Sequence, residues 1–139
     1  MALNILVGCI LMILCIFIHA LATRYTMILA IKYGAKMHAK VYLKQVWVSV
    51  IVLVMFGASL IESLIWAGTF IFMGALENFE EAFYFSMVTF TTLGYGDVTL
   101  TDSYRLLASM EAANGIIIFG WSTAIIMAAV QRFYFKSSK

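Results

Sequence analysis

The sequence predicts an all-α membrane protein with three long apolar helices and one short helix between the second and the third. Hydrophobic residues fill 64% of its 139 positions and charged residues only 12%, with a mean hydropathy of +1.00, so polar surface is too scarce for a water-facing domain. Three apolar stretches are each long enough to cross a hydrocarbon core at about 1.5 Å per residue. Charge is also segregated. Of nine Lys and Arg residues, all but Arg105 lie in the 24–44 segment or after Gln131, whereas all seven acids fall between Glu62 and Glu111.

Residues 2–23 carry no Asp, Glu, Lys or Arg and form the first expected span, an N-terminal transmembrane helix over 1–23. Ala20, Leu21 and Ala22 have the small-residue pattern of a signal-peptide cleavage site. No Lys or Arg precedes the apolar core, however, and cleavage would leave the following basic segment on the wrong side of the membrane, so an uncleaved span is expected. Cys9 and Cys15 lie six positions apart on different faces of that helix, which suits two small apolar fillers better than a disulfide.

Residues 24–45 hold Arg24, Lys32, Lys36, Lys40 and Lys44 among apolar neighbours. The four lysines recur every fourth position, so they are expected as one stripe of an amphipathic cytoplasmic linker that lies on anionic lipid. A voltage sensor would instead need arginines at every third position inside an apolar span. The next apolar run predicts a helix at about residues 46–68, followed by a surface stretch with Gly68 and Gly74. Asn78 with Glu81 three residues later reads as a capping box that opens a short helix through about Phe90. Thr101, Asp102 and Ser103 supply a further cap, and Tyr104 to Val130 is the last span, with a short basic tail after it, 133–139 in domain terms. The positive-inside rule places the basic segment and C-terminus in the cytoplasm, and the N-terminus and the loop near Glu77, Glu80 and Glu81 outside.

Between the short helix and the last span stands TTLGYGD, Thr91 to Asp97. Gly94 and Gly96 alternate with side-chain-bearing residues and can take positive φ, which lets successive carbonyl oxygens point the same way and replace the water shell of a bare cation. This stretch resembles the filter of the potassium-channel family, with Thr92, Leu93, Gly94, Tyr95 and Gly96 matching TxGYG and Asp97 the aspartate that often follows. The run AFYFSMVTFTTLGYGD resembles two-pore-domain channels throughout, and the resemblance extends over residues 46–132. It implies a re-entrant pore helix and a potassium-selective, passive pore built by a homotetramer, with K+ held at Thr92, Leu93, Gly94 and Tyr95 as transported ligand and no cofactor. One such loop per chain and the lack of an internal repeat also require several chains around an axis. A small chain of this kind resembles prokaryotic members, which implies the cell membrane.

Two positions depart from the family pattern. Leu93 stands where many members carry valine, which leaves a less stiff side chain behind the filter. Val88 and Tyr84 replace a glutamate and a tryptophan that bond the filter aspartate in some members, so Tyr84 either bonds Asp97 or only packs. In the last span the resemblance sets Gly115 and Gly120 as hinges and turns Ala112, Ile116, Phe119 and Thr123 toward a cavity. Polarity alone selects another face about 100° away, with Glu111, Gly115 and Ser122. Glu111 is thus either a buttress of the short helix, which supports the filter, or a cavity anion. Glu62 lies within expected reach of Arg105 and is either ion-paired or solvent-facing, while His19 and His38 stand isolated. No metal-ligand spacing, catalytic arrangement or nucleotide loop is present, so neither enzyme chemistry nor nucleic-acid binding is expected. A weakly selective cation channel, a non-conducting adaptor that retains the fold and a subunit of a larger uptake system are the competing readings.

Overall fold

A computed structural model of the chain describes residues 1–34 and 41–135, with the side chains of 33, 34, 41 and 135 left aside. Among the described residues the structure is helical throughout: α1 (Ala2–Gly34), α2 (Val41–Phe72), the short α3 (Phe79–Phe90), α4 (Arg105–Val130) and a π-helical turn, Gln131–Phe135. Three of these contain stretches long and apolar enough to cross a membrane: Ala2–Lys32, Tyr42–Phe72 and Arg105–Tyr134. The protein is therefore an integral membrane protein.

The helix boundaries correct several expectations. α1 does not end at Thr23 but runs on to Gly34, because no Gly or Pro interrupts the residues from Arg24 to Tyr33 and the flanking Tyr, Met, Ile and Leu keep the helix apolar. Lys32 consequently belongs to the last turn of α1 and Lys44 to the first turns of α2, so these two do not share one helix face. Lys36 and Lys40 lie outside the described residues. α2 passes through Gly68 and stops at Gly74 instead. There φ is +70°, Ala75 N–H donates to Phe70 O at 2.8 Å and Gly74 N–H to Ile71 O at 2.9 Å, the paired bonds that close a helix through a left-handed glycine.

Asn78 caps α3 as expected of an N-cap, but its side chain accepts from Glu80 N–H at 2.9 Å rather than from Glu81. Such a cap contributes about 1 kcal/mol. α4 lacks the side-chain cap assigned to Thr101–Ser103. Tyr104 takes that position without a side-chain bond, its N–H donating to Thr101 O, while its hydroxyl crosses to Met73 O at 2.6 Å and ties the α4 entrance to the end of α2.

Two apolar clusters hold the helices together. One joins Leu11 of α1, Trp66 and Phe70 of α2, Phe85 and Phe90 of α3, and Leu107 and Ile118 of α4. The other joins Ala30, Ile51, Met55, Ala129 and Phe133 toward the opposite end. α1 presents a narrow face to them, since Asn4, Gly8, Leu11, Cys15, His19, Thr26 and Ala30 are its buried residues and follow steps of three, four and, from His19 to Thr26, seven. Gly8 makes room for Met110, whose Sδ would lie 2.6 Å from any Cβ there.

The tightest approach is between α3 and α4. A Cβ built on Gly115 would fall 1.8 Å from the carbonyl oxygen of Phe90, the last residue of α3. Gly115 is the eleventh residue of α4, so α3 ends about 15 Å along α4, near the middle of a bilayer-spanning length. α4 is unbroken through Gly115 and Gly120, the two positions expected as hinges, and Gly115 makes this backbone contact. Phe90 also meets Phe119 edge-on, centroids 5.7 Å apart. Gly115→Ala is therefore expected to lower stability by about 1–3 kcal/mol, the range of core overpacking. Gly120→Ala, with open space around it, should cost nothing or gain a few tenths. Thermal melting of the two purified variants in the same lipid checks the contrast.

Candidate functional site

The loop after α3 departs from helix at once. Thr91 closes α3 with its N–H on Met87 O, and its hydroxyl also reaches Met87 O at 2.7 Å. Thr92 then has φ +59°, Gly94 +58° and Gly96 +78°, whereas Leu93 and Tyr95 stay at negative φ. Positive φ at the two glycines follows from the lack of a Cβ. At Thr92 it is an exceptional conformation for a β-branched residue, costing about 1–3 kcal/mol that the surroundings must offset. The offset comes from α3. Thr92 N–H donates to Thr89 O at 2.9 Å, and Leu93 and Gly94 N–H both turn to Val88 O, at 2.9 and 3.3 Å. Positive φ thereby falls on every second residue from Thr92 to Gly96. Thr91 to Asp97 are all exposed in the single chain, including Leu93 and Tyr95 at 54% and 67%.

Asp97 ends the loop. Tyr84 of α3 donates its hydroxyl to Asp97 Oδ2 at 2.6 Å, and Val98 N–H donates to Oδ1 at 3.1 Å. The Tyr84 bond holds the Asp97 carboxyl below the usual aspartate range, and the carboxylate in turn raises the Tyr84 phenol. Tyr84, Phe85, Val88 and Asp97 line a cleft of about 120 Å³ behind Gly94 and Gly96.

Behind α3 lies a buried polar seam. Ser86 donates to the Ser63 carbonyl of α2 at 2.7 Å and contacts Glu111 Oε1 of α4. Glu111 is fully buried, so it faces α3 and not an open cavity. Glu62 is also fully buried. Its partner is His19 of α1, Nδ1 to Oε1 at 3.1 Å, while His19 Nε2 meets Ser122 Oγ of α4 at 3.0 Å. The expected Glu62–Arg105 pair does not form, because Arg105 pairs with Asp102 on the exposed surface at 2.8 Å, and His19 is not isolated. The Arg105 guanidinium stays near water, where an ion pair costs little desolvation.

The two readings of α4 can now be compared with its packing. Glu111, Gly115 and Ser122, the face chosen by polarity, are all turned inward within the chain. Ile116, Gly120 and Thr123 are exposed, Ala112 and Phe119 partly so, and the Thr123 hydroxyl bonds back to Phe119 O. The face expected at a cavity is thus largely uncovered by this chain's own helices. Lys44 sits over the Tyr134 ring at 5.7 Å.

The sequence expectations do not include Asn4 and Thr26, and hold Cys15 for an apolar filler and His19 for isolated. Their spacing was a usable signal: polar or small residues at 4, 8, 15, 19 and 26 mark one helix face along α1. Asn4 Nδ2 donates to Ser103 O beside the α4 entrance, and Cys15 lies next to Asn114 and Trp66.

Residues 45–132, well over half of the chain, match the protein family described as "Ion channel". No curated protein and no solved structure matches the chain.

The Tyr84–Asp97 bond carries a sign for pH. An aspartate whose folded value is depressed contributes stability in full above its unfolded value, and that contribution is lost as pH falls through the folded one. Tyr84→Phe should move the Asp97 titration up toward the ordinary aspartate value. Carbon-13 spectra of aspartate-labelled protein check this, since the chain has only Asp97 and Asp102. Unchanged titration of both carboxyls would remove the bond from the account.

Proposed function

Because the chain belongs to the ion channel family, we propose that it conducts potassium selectively and passively through a pore that four identical chains build around one axis. The observation that carries this reading is the alternation of left-handed residues at Thr92, Gly94 and Gly96 within TLGYGD. In the proposed tetramer the carbonyls of Thr92, Leu93, Gly94 and Tyr95, with the Thr92 hydroxyl, form rings that replace the hydration shell of K+, and Gly96 lets the chain leave the last ring. α3 is the pore helix. Its end about halfway along α4 supports that role, since it sets the loop at mid-membrane depth and aims the negative end of the helix dipole at the cation path. Non-helical backbone is tolerated there only when it is buried in protein or lines a wet path.

The exposure of Leu93, Tyr95, Ile116 and Thr123 in one chain supports an assembly that surrounds this side of the molecule. Leu93 and Tyr95 would pack into neighbouring chains, while Ala112, Ile116, Phe119 and Thr123 would face the central cavity. Asp97, held by Tyr84, and Glu111, held at Ser86, support the filter from its two ends. The lysines at 32, 36, 40 and 44 meet anionic lipid on the cytoplasmic side, at about 1 kcal/mol for each one near the surface. With that side fixed, the C-terminus is cytoplasmic and the N-terminus outside.

Replacing Gly94 or Gly96 by alanine adds a Cβ where φ is positive, while the spans keep their apolar length. Each variant should insert and assemble normally, yet lose most K+ flux into liposomes against a sodium-filled interior. Retention of selective flux in either variant contradicts the carbonyl-ring reading. A stable monomer as the conducting species in native mass spectrometry contradicts the tetramer.

A further inference from the structure

Three titratable side chains are sealed between the helices, and ion conduction as proposed assigns none of them a protonation state. His19 of α1, Glu62 of α2 and Glu111 of α4 each have no solvent exposure. Among the described residues Cys15, one turn before His19, is the other titratable group facing them, and α3 contributes only the hydroxyl of Ser86. No lysine or arginine is buried among the described residues. A net charge left in this interior is heavily penalised, and two carboxylates need two protons to reach neutrality.

Hydrogen-bond inventory says where one of them resides. Ser86 Oγ has two oxygen neighbours, the Ser63 carbonyl and Glu111 Oε1. A serine hydroxyl has a single proton to donate and a carbonyl has none, so both contacts are bonds only if Glu111 brings a proton of its own. The chain then runs without a gap: Glu111 donates to Ser86 Oγ, and Ser86 donates to Ser63 O. At the second place, both ring nitrogens of His19 are engaged, Nδ1 by Glu62 and Nε2 by Ser122. One proton between His19 and Glu62 makes the pair neutral as a whole, whether imidazole or carboxyl holds it.

We propose that this seam is a two-proton binding site, with Glu111 kept as a neutral acid on Ser86 and one proton shared by Glu62 and His19. Each proton closes a contact between elements. The first joins α3, which carries the loop, to α2 and α4. The second joins α1 to both of its neighbours. Alkaline pH that strips either proton leaves a buried anion at a helix contact and loosens α1 or α3, whichever ion the channel passes.

Infrared spectra of the full chain reconstituted in lipid test the site without reference to conduction. At neutral pH the protein should show the carbonyl stretch of a protonated carboxylic acid. Glu111→Gln should remove the Glu111 component of that band, leaving at most a component that Glu62→Gln abolishes, and Ser86→Ala, which keeps the acid but takes away its acceptor, should shift the Glu111 component. The melting temperature should fall from neutral to alkaline pH in the parent, and the fall should shrink in the Glu62→Gln/Glu111→Gln double variant, which has no carboxyl left to neutralise. If the double variant does not fold, the band in the single variants decides alone. The proposal is overturned by absence of an acid band in the parent at neutral pH, by a band that Glu111→Gln leaves intact, or by an alkaline fall that the double variant retains in full.

Discussion

The approach of the α3 C-terminus to α4 at Gly115 is the constraint on which the rest of the site depends. Only a residue without Cβ admits the Phe90 carbonyl at that spot, and this sets how deep α3 ends and hence where the TLGYGD loop begins. The loop hangs from the same end of α3, by bonds from Thr92, Leu93 and Gly94 to the carbonyls of Thr89 and Val88. A helix terminus has carbonyls to spare. Here they hold a strained backbone, including a left-handed threonine, instead of being left to water.

Around that contact the chain distributes support over all its helices. Tyr84 fixes the far end of the loop through Asp97, Ser86 connects α3 to α2 and α4, and Phe119 covers the Phe90 ring. α1 adds a fourth wall. It lies outside residues 45–132, the part that matches the ion channel family, yet its polar face reaches Glu62 and Ser122 through His19 and the α4 entrance through Asn4. A polar contact between helices in an apolar medium fixes rotation and register more than it adds stability, because its alternatives are unsatisfied groups. α1 is thus keyed to one position against the channel domain.

Much of this was legible from the residues. The apolar lengths marked the spans, Asn78 marked the start of α3, and the glycines of TLGYGD marked the left-handed positions 94 and 96. Val88 has no hydrogen-bonding side chain, which left Tyr84 as the residue that either bonds Asp97 or only packs, and the structure shows the bond. What escaped the sequence were contacts set by tertiary packing. The carboxylate at 62 lies within reach of Arg105 by chain position, and only the fold shows that His19 faces it while Arg105 turns to Asp102. Glycine at 115 fits a bend and a close approach equally well until the Phe90 carbonyl is seen against it. The basic segment has helical periodicity throughout, so periodicity could not show that α1 runs to Gly34 and that Lys44 belongs to another helix. Positive φ at Thr92 goes against the preference of its own side chain and follows from the bond to Thr89.

Potassium selectivity is the central claim, and the reversal potential of purified protein in a planar bilayer, with potassium chloride on one side and sodium chloride on the other, tests it most directly. Rings of carbonyls that replace the shell of K+ place the reversal far toward the potassium equilibrium potential, with little current carried by sodium. Reversal near zero would show a cation pathway that does not distinguish the two ions, and contradict the assignment of TLGYGD as a potassium filter.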